Sequence, residues 1–311
     1  MRKTGCTVAL LLGSLGTSFA ADLYVKAAPP PPPLPPPPTW TRLYVGGLFG
    51  WGWAGDDTDN NDSVDAFAPT QLALVLRGAP LGFWNTPNEF RPRGNGFVGG
   101  GEFGGDYQVS PLFVVGGVID GLWSGIKGTD TRTLASPFAF NINGLTRGLV
   151  SFSNTGIATF NAGENSFESL RIRAGFLGAP NWLIYGTVGG SICQCFANAN
   201  FSDQIAASIN GRGLSGTASF SESGSFNSSR TGIVFGAGTE TRWGEGGHWG
   251  FKAQALHYDW GSADFSTPAS QAASFTVPGR TTAVPLNALP PGLEHVHFQA
   301  TVVEGGISYN W

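Results

Sequence analysis

Histidine can bind a metal ion or act in catalysis, and two of the histidines in this chain, His295 and His297, lie two residues apart. They alternate with Val296 and Phe298, so on a β-strand both imidazoles face the same way. Two imidazoles on one face suit a metal ion or haem, whereas the alternative is a solvated strand end. We expect the solvated end, with no metal and no cofactor.

His257 introduces a second possibility, hydrolytic catalysis, because Asp259 and Ser262 follow it closely. Such catalysis needs a nucleophile within hydrogen-bond reach of a base, and an acidic group that orients the base. The spacing of these three residues along the chain does not assemble that arrangement. The sequence therefore predicts no catalytic residue and no enzymatic activity.

Cys193 and Cys195 are the cysteines that remain once an N-terminal signal containing Cys6 is removed. Residues two apart on an extended strand lie near the upper limit of disulfide reach, so a bond between them requires a local bend. Metal binding would need further thiols or nearby histidines, which this part of the sequence lacks. The pair is therefore either a strained disulfide or two free thiols.

An acidic segment containing Asp57, Asp59 and Asn61 imitates the start of a calcium-binding loop. However, Asp62 and Ala68 stand where such a loop needs a glycine and a bidentate glutamate. We expect an acidic, solvated loop. The alternative is weak divalent bridging to the phosphates of lipopolysaccharide.

The first 39 residues predict export followed by a spacer. Arg2 and Lys3 precede an apolar run that ends at a small-residue cleavage site, which is typical of a secretory signal peptide over residues 1–20. Residues 21–39 contain a run of nine prolines, which favours a stiff polyproline II leader in the periplasm.

The composition of residues 40–311 suits membrane-spanning strands. The chain has 47 Gly, 13% aromatic and only 12% charged residues. No run of about 20 apolar residues follows the signal, which excludes helical membrane proteins. The formal net charge of -4 argues against a nucleic-acid partner.

Apolar and polar residues alternate with a period of two in about eight segments, each long enough for a tilted membrane strand. Short connections lie near 110–111, 179–181 and 244–248. Long connections lie near 55–93, 126–165, 194–229 and 262–294. Short turns on one side and long loops on the other are typical of outer-membrane barrels. The predicted fold class is all-β: a transmembrane up-and-down antiparallel β-barrel of about eight strands, preceded by the signal peptide and the proline-rich segment.

Nine charged residues fall on the faces that would point into such a barrel. They are Glu102, Asp106, Asp120, Arg171, Arg173, Glu240, Arg242, Lys252 and Glu304. An isolated charge inside a narrow barrel costs several kcal/mol, so we expect an ion-pair network. This lumen network either fills the barrel as a structural element or acts as a gate whose pairs exchange to pass small solutes. An eight-stranded barrel has room for side chains or one small ligand, not for an open aqueous channel.

Aromatic residues cluster at the strand ends that carry the short turns, which is typical of an interfacial girdle. They are Trp40, Tyr107, Phe113, Trp182, Trp243, Trp249, Tyr309 and Trp311. We therefore expect these residues to mark the periplasmic boundary of the membrane.

Five segments of the chain carry a resemblance to a known family. They are ADLYVKA at 21–27, WTRLYVGGLFGWGW at 40–53, GFVGGGEFGGDYQ at 96–108, NWLIYGTVGG at 181–190 and HYDWGS at 257–262. In this order they resemble the alphaproteobacterial outer-membrane immunogenic proteins, which are small porin-like barrels. The resemblance implies an eight-stranded barrel in the cell outer membrane, and an assembly signal at the C-terminal aromatic residue, here Trp311. The proline run and the long loops depart from the family pattern, so ligands of individual members are not expected to transfer.

The sequence thus predicts an outer-membrane β-barrel with a structural or porin-like role in envelope integrity and slow permeation of small solutes. The alternative is a surface binding protein, such as an adhesin or a phage or haem binder, that acts through long extracellular loops. The expected partners are outer-membrane lipids, lipopolysaccharide and the outer-membrane assembly machinery.

Overall fold

The computed structural model describes residues 39–60, 89–135, 138–142, 148–209, 214–277, 279–284 and 291–311. Nearly all of them lie in β-strands, and one short 3₁₀ helix spans Glu245–Gly247. Within these ranges, no helix is long and apolar enough to cross a membrane. The signal peptide and all but the last residue of the leader lie outside the described residues, so the domain boundaries stay predictions.

Fourteen strands are described, and eight of them close a barrel. In chain order they are β1 (Arg42–Gly55), β2 (Asp57–Asn60), β3 (Glu89–Phe90), β4 (Arg93–Gln108), β5 (Phe113–Ser124), β6 (Lys127–Ala135), β7 (Phe138–Ile142), β8 (Gly148–Ala179), β9 (Trp182–Ile209), β10 (Leu214–Trp243), β11 (Trp249–Thr267), β12 (Ala269–Val277), β13 (Arg280–Val284) and β14 (Gly292–Asn310). The barrel order is β1, β4, β5, β8, β9, β10, β11 and β14, with every neighbouring pair antiparallel. Pairing of β14 with β1 closes the ring, which confirms the predicted fold class.

The outer surface of this ring carries a band of exposed apolar side chains. Val45, Phe103 and Ile119 lie side by side in the register of β1, β4 and β5, and each is about half exposed. Leu170 and Ile172 on β8 are each 68% exposed. So large an apolar surface is unfavourable in water, whereas a closed barrel satisfies its own backbone and can face lipid. The protein is a β-barrel of the outer membrane.

One end of the barrel has short connections, where the sequence predicts them. β4 and β5 are joined by residues 109–112, β8 and β9 by 180–181, and β10 and β11 by 244–248. In the last turn Gly244, Gly246 and Gly247 have φ of 84°, 71° and 69°. Glycine adopts this left-handed region without a steric penalty. By the arrangement of outer-membrane barrels, this end faces the periplasm.

At the other end the structure has strands where the sequence predicts long loops. β8, β9 and β10 continue for 32, 28 and 30 residues, whereas about 9–11 cross a membrane. Four short strands flank these continuations, β6 and β7 on β8, β12 on β10, and β13 on β12. We call the paired strands beyond the apolar band the extracellular extension. Its outward positions are mostly Ser, Thr, Asn and Gln, and many inward positions are Ala or Gly. Hydropathy therefore changes little from one residue to the next, and alternation in the sequence does not reveal these strands.

The acidic segment expected as a solvated loop also forms a strand. Residues Asp57–Asn60 are β2, and Asp57 pairs with His297 of β14 in the backbone register. Asn61, Asp62 and Ala68 lie outside the described residues. Backbone pairing with β14 therefore decides the conformation of at least the first part of this segment.

Candidate functional site

The interior of the membrane-spanning part of the barrel is filled by charged side chains that contact each other. Arg173 donates from Nε to Asp106 Oδ1 at 2.7 Å and from Nη1 to Glu240 Oε2 at 3.1 Å. Arg42 donates from Nε to Asp106 Oδ2 at 3.0 Å and from Nη2 to Glu240. These four side chains are at most 3% exposed. Two arginines and two carboxylates therefore neutralise each other near the periplasmic end.

Two further ion pairs lie on the extracellular side of this group. Lys252 Nζ is 2.7 Å from Glu102 Oε1. Arg171 donates from Nε to Asp120 Oδ2 at 3.1 Å, and the Ser169 hydroxyl donates to the same oxygen at 2.7 Å. The structure thus brings seven of the nine charged residues named from the sequence into direct ion pairs.

Glu304 and Arg242 are placed differently from the other seven. Glu304 accepts a hydrogen bond from the Gln254 amide at 2.5 Å. Arg242 donates to the backbone carbonyls of Gly247 at 3.0 Å and Thr39 at 2.7 Å, so it lies at the periplasmic mouth. Both are buried inside the barrel, in contact with uncharged partners.

Arg42 and two aromatic side chains, which are not among the lumen residues predicted from the sequence, complete this interior. The Tyr44 ring centroid is 4.8 Å from the Arg173 guanidinium and 4.9 Å from Lys252 Nζ. Trp40 lies 4.6 Å from the Arg42 guanidinium and donates from Nε1 to Pro180 O at 3.0 Å. Trp40 is buried, so its assignment to the membrane girdle was wrong. Arg42 and Tyr44 are two residues apart on β1, so they share one face, and this spacing was the sequence signal that could have placed Arg42 inside the barrel.

Above the charged residues the interior becomes aromatic. The rings concerned, which we call the aromatic cluster, belong to Phe90, Phe160, Phe167, Phe201, Tyr258, Trp260 and Phe265, all buried. Ring centroids of Phe167 and Tyr258 are 4.8 Å apart, and those of Tyr258 and Trp260 are 5.3 Å apart. Trp260 Nε1 donates to Ser191 Oγ at 3.1 Å, so its polar group is satisfied. The extracellular extension therefore has a packed hydrophobic core of its own.

The cysteine pair lies in the wall of this core as a disulfide. Cys193 and Cys195 both face inward on β9, and neither has any exposed surface. Their Cα atoms are 5.4 Å apart, less than the roughly 6.6 Å spanned by two extended residues. The register of β8 against β9 shifts between Glu164 and Ser166, next to this contraction. Of the two states that the sequence leaves open, the structure has the disulfide.

Glu164 is a buried carboxyl opposite Cys195, in the part of β8 beyond the apolar band. Neither of its carboxylate oxygens has a hydrogen-bond partner among the described residues. Burial, and secondarily the negative charge of Asp56, raise the pKa of the Glu164 carboxyl well above its usual value. Glu164 therefore favours the neutral form inside the extension.

We expect the extracellular extension to lose stability as the pH rises. Because the folded-state pKa of Glu164 is raised, its stabilising contribution is complete below its ordinary pKa and is lost as the pH rises through the raised value. The thermal midpoint of the wild type should therefore fall as the pH rises above the ordinary pKa of a glutamate, and Glu164→Gln should flatten this dependence. Glu168→Gln, which changes an exposed carboxyl on the same strand, is the control. Identical pH profiles for the wild type and Glu164→Gln would contradict the assignment.

A second polar cluster lies on the outer face, just beyond the apolar band. Ser262 Oγ is 3.1 Å from His297 Nδ1, and His297 Nε2 is 3.4 Å from Asp259 Oδ1. His295 Nδ1 contacts a different carboxylate, Asp264 Oδ1, at 2.5 Å. Each histidine of the sequence pair thus has its own carboxylate neighbour. No group of three or more His, Cys, Asp or Glu side chains suited to a metal ion is found in the described part of the chain.

His257 lies below this outer cluster and contacts other residues. Its Nδ1 is 2.9 Å from Thr301 Oγ1, and its ring lies 5.2 Å from that of Phe235. The imidazole close to Ser262 and Asp259 is that of His297, from the distant strand β14. The prediction that grouped Ser262 and Asp259 with His257 named the wrong histidine, because the contact with His297 arises from strand pairing and not from proximity along the chain.

No family model matches this chain, and no curated protein matches it. Among solved structures it is similar to Ail, the attachment invasion locus protein of Yersinia pestis, with 10% identity, 87% of this chain and 100% of that chain covered, and a TM-score of 0.25. It is also similar to the outer membrane protease OmpT of Escherichia coli, with 9% identity, 88% and 98% covered, and a TM-score of 0.28. A FadL homologue of Pseudomonas aeruginosa has 11% identity, 86% and 90% covered, and a TM-score of 0.18. These likenesses carry no argument about the activity or ligands of this chain.

The prediction that this chain is not an enzyme is corrected by one of these comparisons. OmpT, one of the similar structures, is an outer membrane protease, so the exclusion of an enzyme made from the sequence is withdrawn. Strands hold side chains rigidly enough for catalytic geometry, which is the physical reason that the exclusion fails. The likeness itself assigns no activity to this chain.

Proposed function

We propose that this protein is a closed outer-membrane barrel that anchors a rigid extracellular β-structure to the cell envelope. The supporting observation is the filled interior. Ion pairs around Arg173 occupy the membrane-spanning part, and the aromatic cluster occupies the part above it. The role is therefore structural, and slow solute permeation is disfavoured.

In this proposal the charged residues of the lumen act as structural filling and not as a gate. A gate needs pairs that separate at low cost, and removing one partner from a buried pair leaves an uncompensated charge. Asp106 accepts hydrogen bonds from both Arg42 and Arg173, so opening one contact leaves the other in place. Such shared partners favour one fixed arrangement.

Planar-bilayer recording tests the closed state. We expect the wild-type barrel to give no single-channel steps, because an ion would have to displace both the Arg173 pairs and the aromatic cluster. Insertion is checked by protection of the membrane-spanning strands from protease, with a conducting porin as positive control. The triple variant Phe167→Ala, Tyr258→Ala and Trp260→Ala loosens only the upper barrier and should also stay silent. Reproducible steps in the wild type would overturn the proposal.

The outer face of the extracellular extension favours surface binding as a second function. Gln194 Nε2 donates to Ser229 Oγ at 2.6 Å, and Thr217 Oγ1 is 2.8 Å from Ser274 Oγ. Hydroxyl and amide groups on paired strands are fixed donors and acceptors, which suit a neutral polar ligand such as a surface glycan.

A binding measurement with the reconstituted barrel tests this second function. Wild type is expected to bind immobilised neutral oligosaccharides. Replacement of the exposed Ser221, Ser223 and Ser225 by Arg should weaken that binding at least about tenfold by steric and charge mismatch. The control is Arg at the exposed Thr131 on the flanking strand β6. Equal binding by all three proteins would remove this face of β10 from the proposal.

We also propose that Trp311 is recognised by the outer-membrane assembly machinery and that the barrel contacts lipopolysaccharide, as the resemblance to the immunogenic proteins implies. The Trp311 backbone pairs with Leu43, with N to O distances of 3.1 and 3.4 Å. Its side chain is 57% exposed at the periplasmic edge of the seam between β14 and β1. This exposure supports a recognition role.

A further inference from the structure

A β-bulge in β11 places two chemically active side chains on the same outer face. The pairing of β11 with β14 shifts between Asp259 and Gly261, and Gly261 has a φ of 68°, which glycine tolerates. Strict alternation would turn residues 259 and 262 to opposite faces, but the extra residue reverses the alternation. Asp259 and Ser262 therefore both face outward, while Trp260 enters the aromatic cluster.

The same bulge brings both residues to one imidazole of β14. Ser262 pairs directly with His297, and Asp259 pairs with Gln299, the next outward position. The His297 ring lies between them, 3.1 Å from Ser262 Oγ through Nδ1 and 3.4 Å from Asp259 Oδ1 through Nε2. Asp259 Oδ1 also accepts from the Gly261 amide at 2.9 Å, which fixes the carboxylate. A hydroxyl, an imidazole and a carboxylate thus stand in series.

We propose that Ser262, His297 and Asp259 form a hydrolytic triad that cleaves acyl esters of lipids in the outer leaflet. This activity goes beyond the anchoring role and does not depend on it. Ser262 is the nucleophile, His297 the general base and Asp259 the group that orients the imidazole. A hydroxyl within reach of a base that an acid orients is the arrangement that nucleophilic catalysis needs.

The reaction balances with water as the only co-reactant. Ser262 Oγ attacks the ester carbonyl carbon, and its proton passes to His297 Nδ1. The bond between the carbonyl carbon and the alcohol oxygen breaks, and His297 returns the proton to the departing alcohol. Water then attacks the acyl-serine, giving the fatty acid and free Ser262. Asp259 faces Nε2, so it stabilises the imidazolium that forms in each step.

The position of the triad indicates a lipid as its substrate. In the register of β10 and β11, Asp259 lies opposite Ile233, an exposed apolar residue at the upper edge of the band. An acyl chain lying along the band would present its ester at this edge, where hydrocarbon meets headgroup. The side chains of His297 and Asp259 are 35% and 41% exposed, so substrate and water can reach them.

Arg230 contacts the backbone of the nucleophile from an inward-facing position of β10, where it pairs with the buried Cys193. Its Nη2 donates to the backbone carbonyl of Ser262, and its Nε has no hydrogen-bond partner among the described residues. Arg230 thus acts as a positioning residue that holds the bulge.

The test uses the full-length barrel in vesicles and two independent readouts. Covalent labelling with a fluorophosphonate reports an activated serine without turnover. Fatty-acid release is measured from diacyl phosphatidylethanolamine vesicles, from purified lipopolysaccharide and from a soluble short-chain ester. The variants are Ser262→Ala, His297→Ala and Asp259→Asn. The controls are Ser266→Ala, an exposed serine on the same strand, and His295→Ala, whose imidazole contacts Asp264.

We expect the wild type to be labelled at Ser262 and to release fatty acid from one of the two lipids, which identifies the source of the ester. Ser262→Ala should abolish labelling, and His297→Ala should slow both readouts at least about 100-fold, with both controls unchanged. Cleavage of the soluble ester alone would overturn the lipid assignment. A folded wild type that is neither labelled nor active on any substrate, or activity retained in Ser262→Ala, would overturn the triad.

Discussion

Replacement of Arg173 by Ala is expected to lower the free energy of unfolding by about 3–5 kcal/mol. Arg173 donates to both Asp106 and Glu240, and its side chain is 2% exposed. Removing it leaves two buried carboxylates with Arg42 as their shared partner, in surroundings where an uncompensated charge is strongly unfavourable. Reversible urea unfolding in lipid vesicles, followed by tryptophan fluorescence, measures the change.

The matched control for Arg173→Ala is Arg132→Ala. Arg132 pairs with Asp130 at 2.8 Å on the surface of β6, with 47% of its side chain exposed, so its loss should cost at most about 1 kcal/mol. A second comparison removes both members of one pair. Lys252→Met alone leaves the buried Glu102 without its ion-pair partner. The double variant Lys252→Met with Glu102→Gln removes both charges, so it should recover most of the lost stability. If Arg173→Ala cost no more than Arg132→Ala, the ion pairs would not stabilise the lumen.

Replacement of Phe103 by Arg is expected to cost about 2–4 kcal/mol of unfolding free energy in a bilayer. Phe103 faces outward near the middle of the apolar band, beside Val45 and Ile119 in the register. A guanidinium at this depth faces hydrocarbon, which cannot replace its hydration. The same urea titration measures the effect.

Tyr107→Arg on the same strand is the control for depth. Tyr107 is exposed on the same face of β4, one residue before the strand ends at Gln108 on the periplasmic side. An arginine there reaches the interface, so the cost should fall to about 0–1 kcal/mol. Equal costs at both positions would mean that the band does not lie in hydrocarbon as the structure indicates.

The membrane-spanning half of the barrel was predictable because its alternation is strong. Large apolar residues such as Val45 and Phe103 face lipid, and charged ones such as Glu102 face the lumen, so hydropathy changes sharply at every step. The extracellular extension was not predictable by this means. Residues such as Thr159 and Asn161 form strands because neighbouring strands pair with them, and their hydropathy barely alternates. The aromatic cluster was missed for the same reason, since Phe160 and Phe201 fall where loops were expected.

The sequence by itself determined which side of the barrel wall most side chains occupy, because a strand alternates faces with a period of two. It placed Asp106, Arg173 and Glu240 inside the barrel on that basis alone. Only the tertiary structure decided which of them meet. Arg173 lies 67 positions from both Asp106 and Glu240, and their contact depends on the register of the closed ring. The triad of Ser262, His297 and Asp259 depends on the bulge at Gly261 as well, because that one residue reverses the alternation of β11 before it meets β14. Alternation is a local property of the backbone, whereas register and bulges arise from pairing between strands that are distant in the chain.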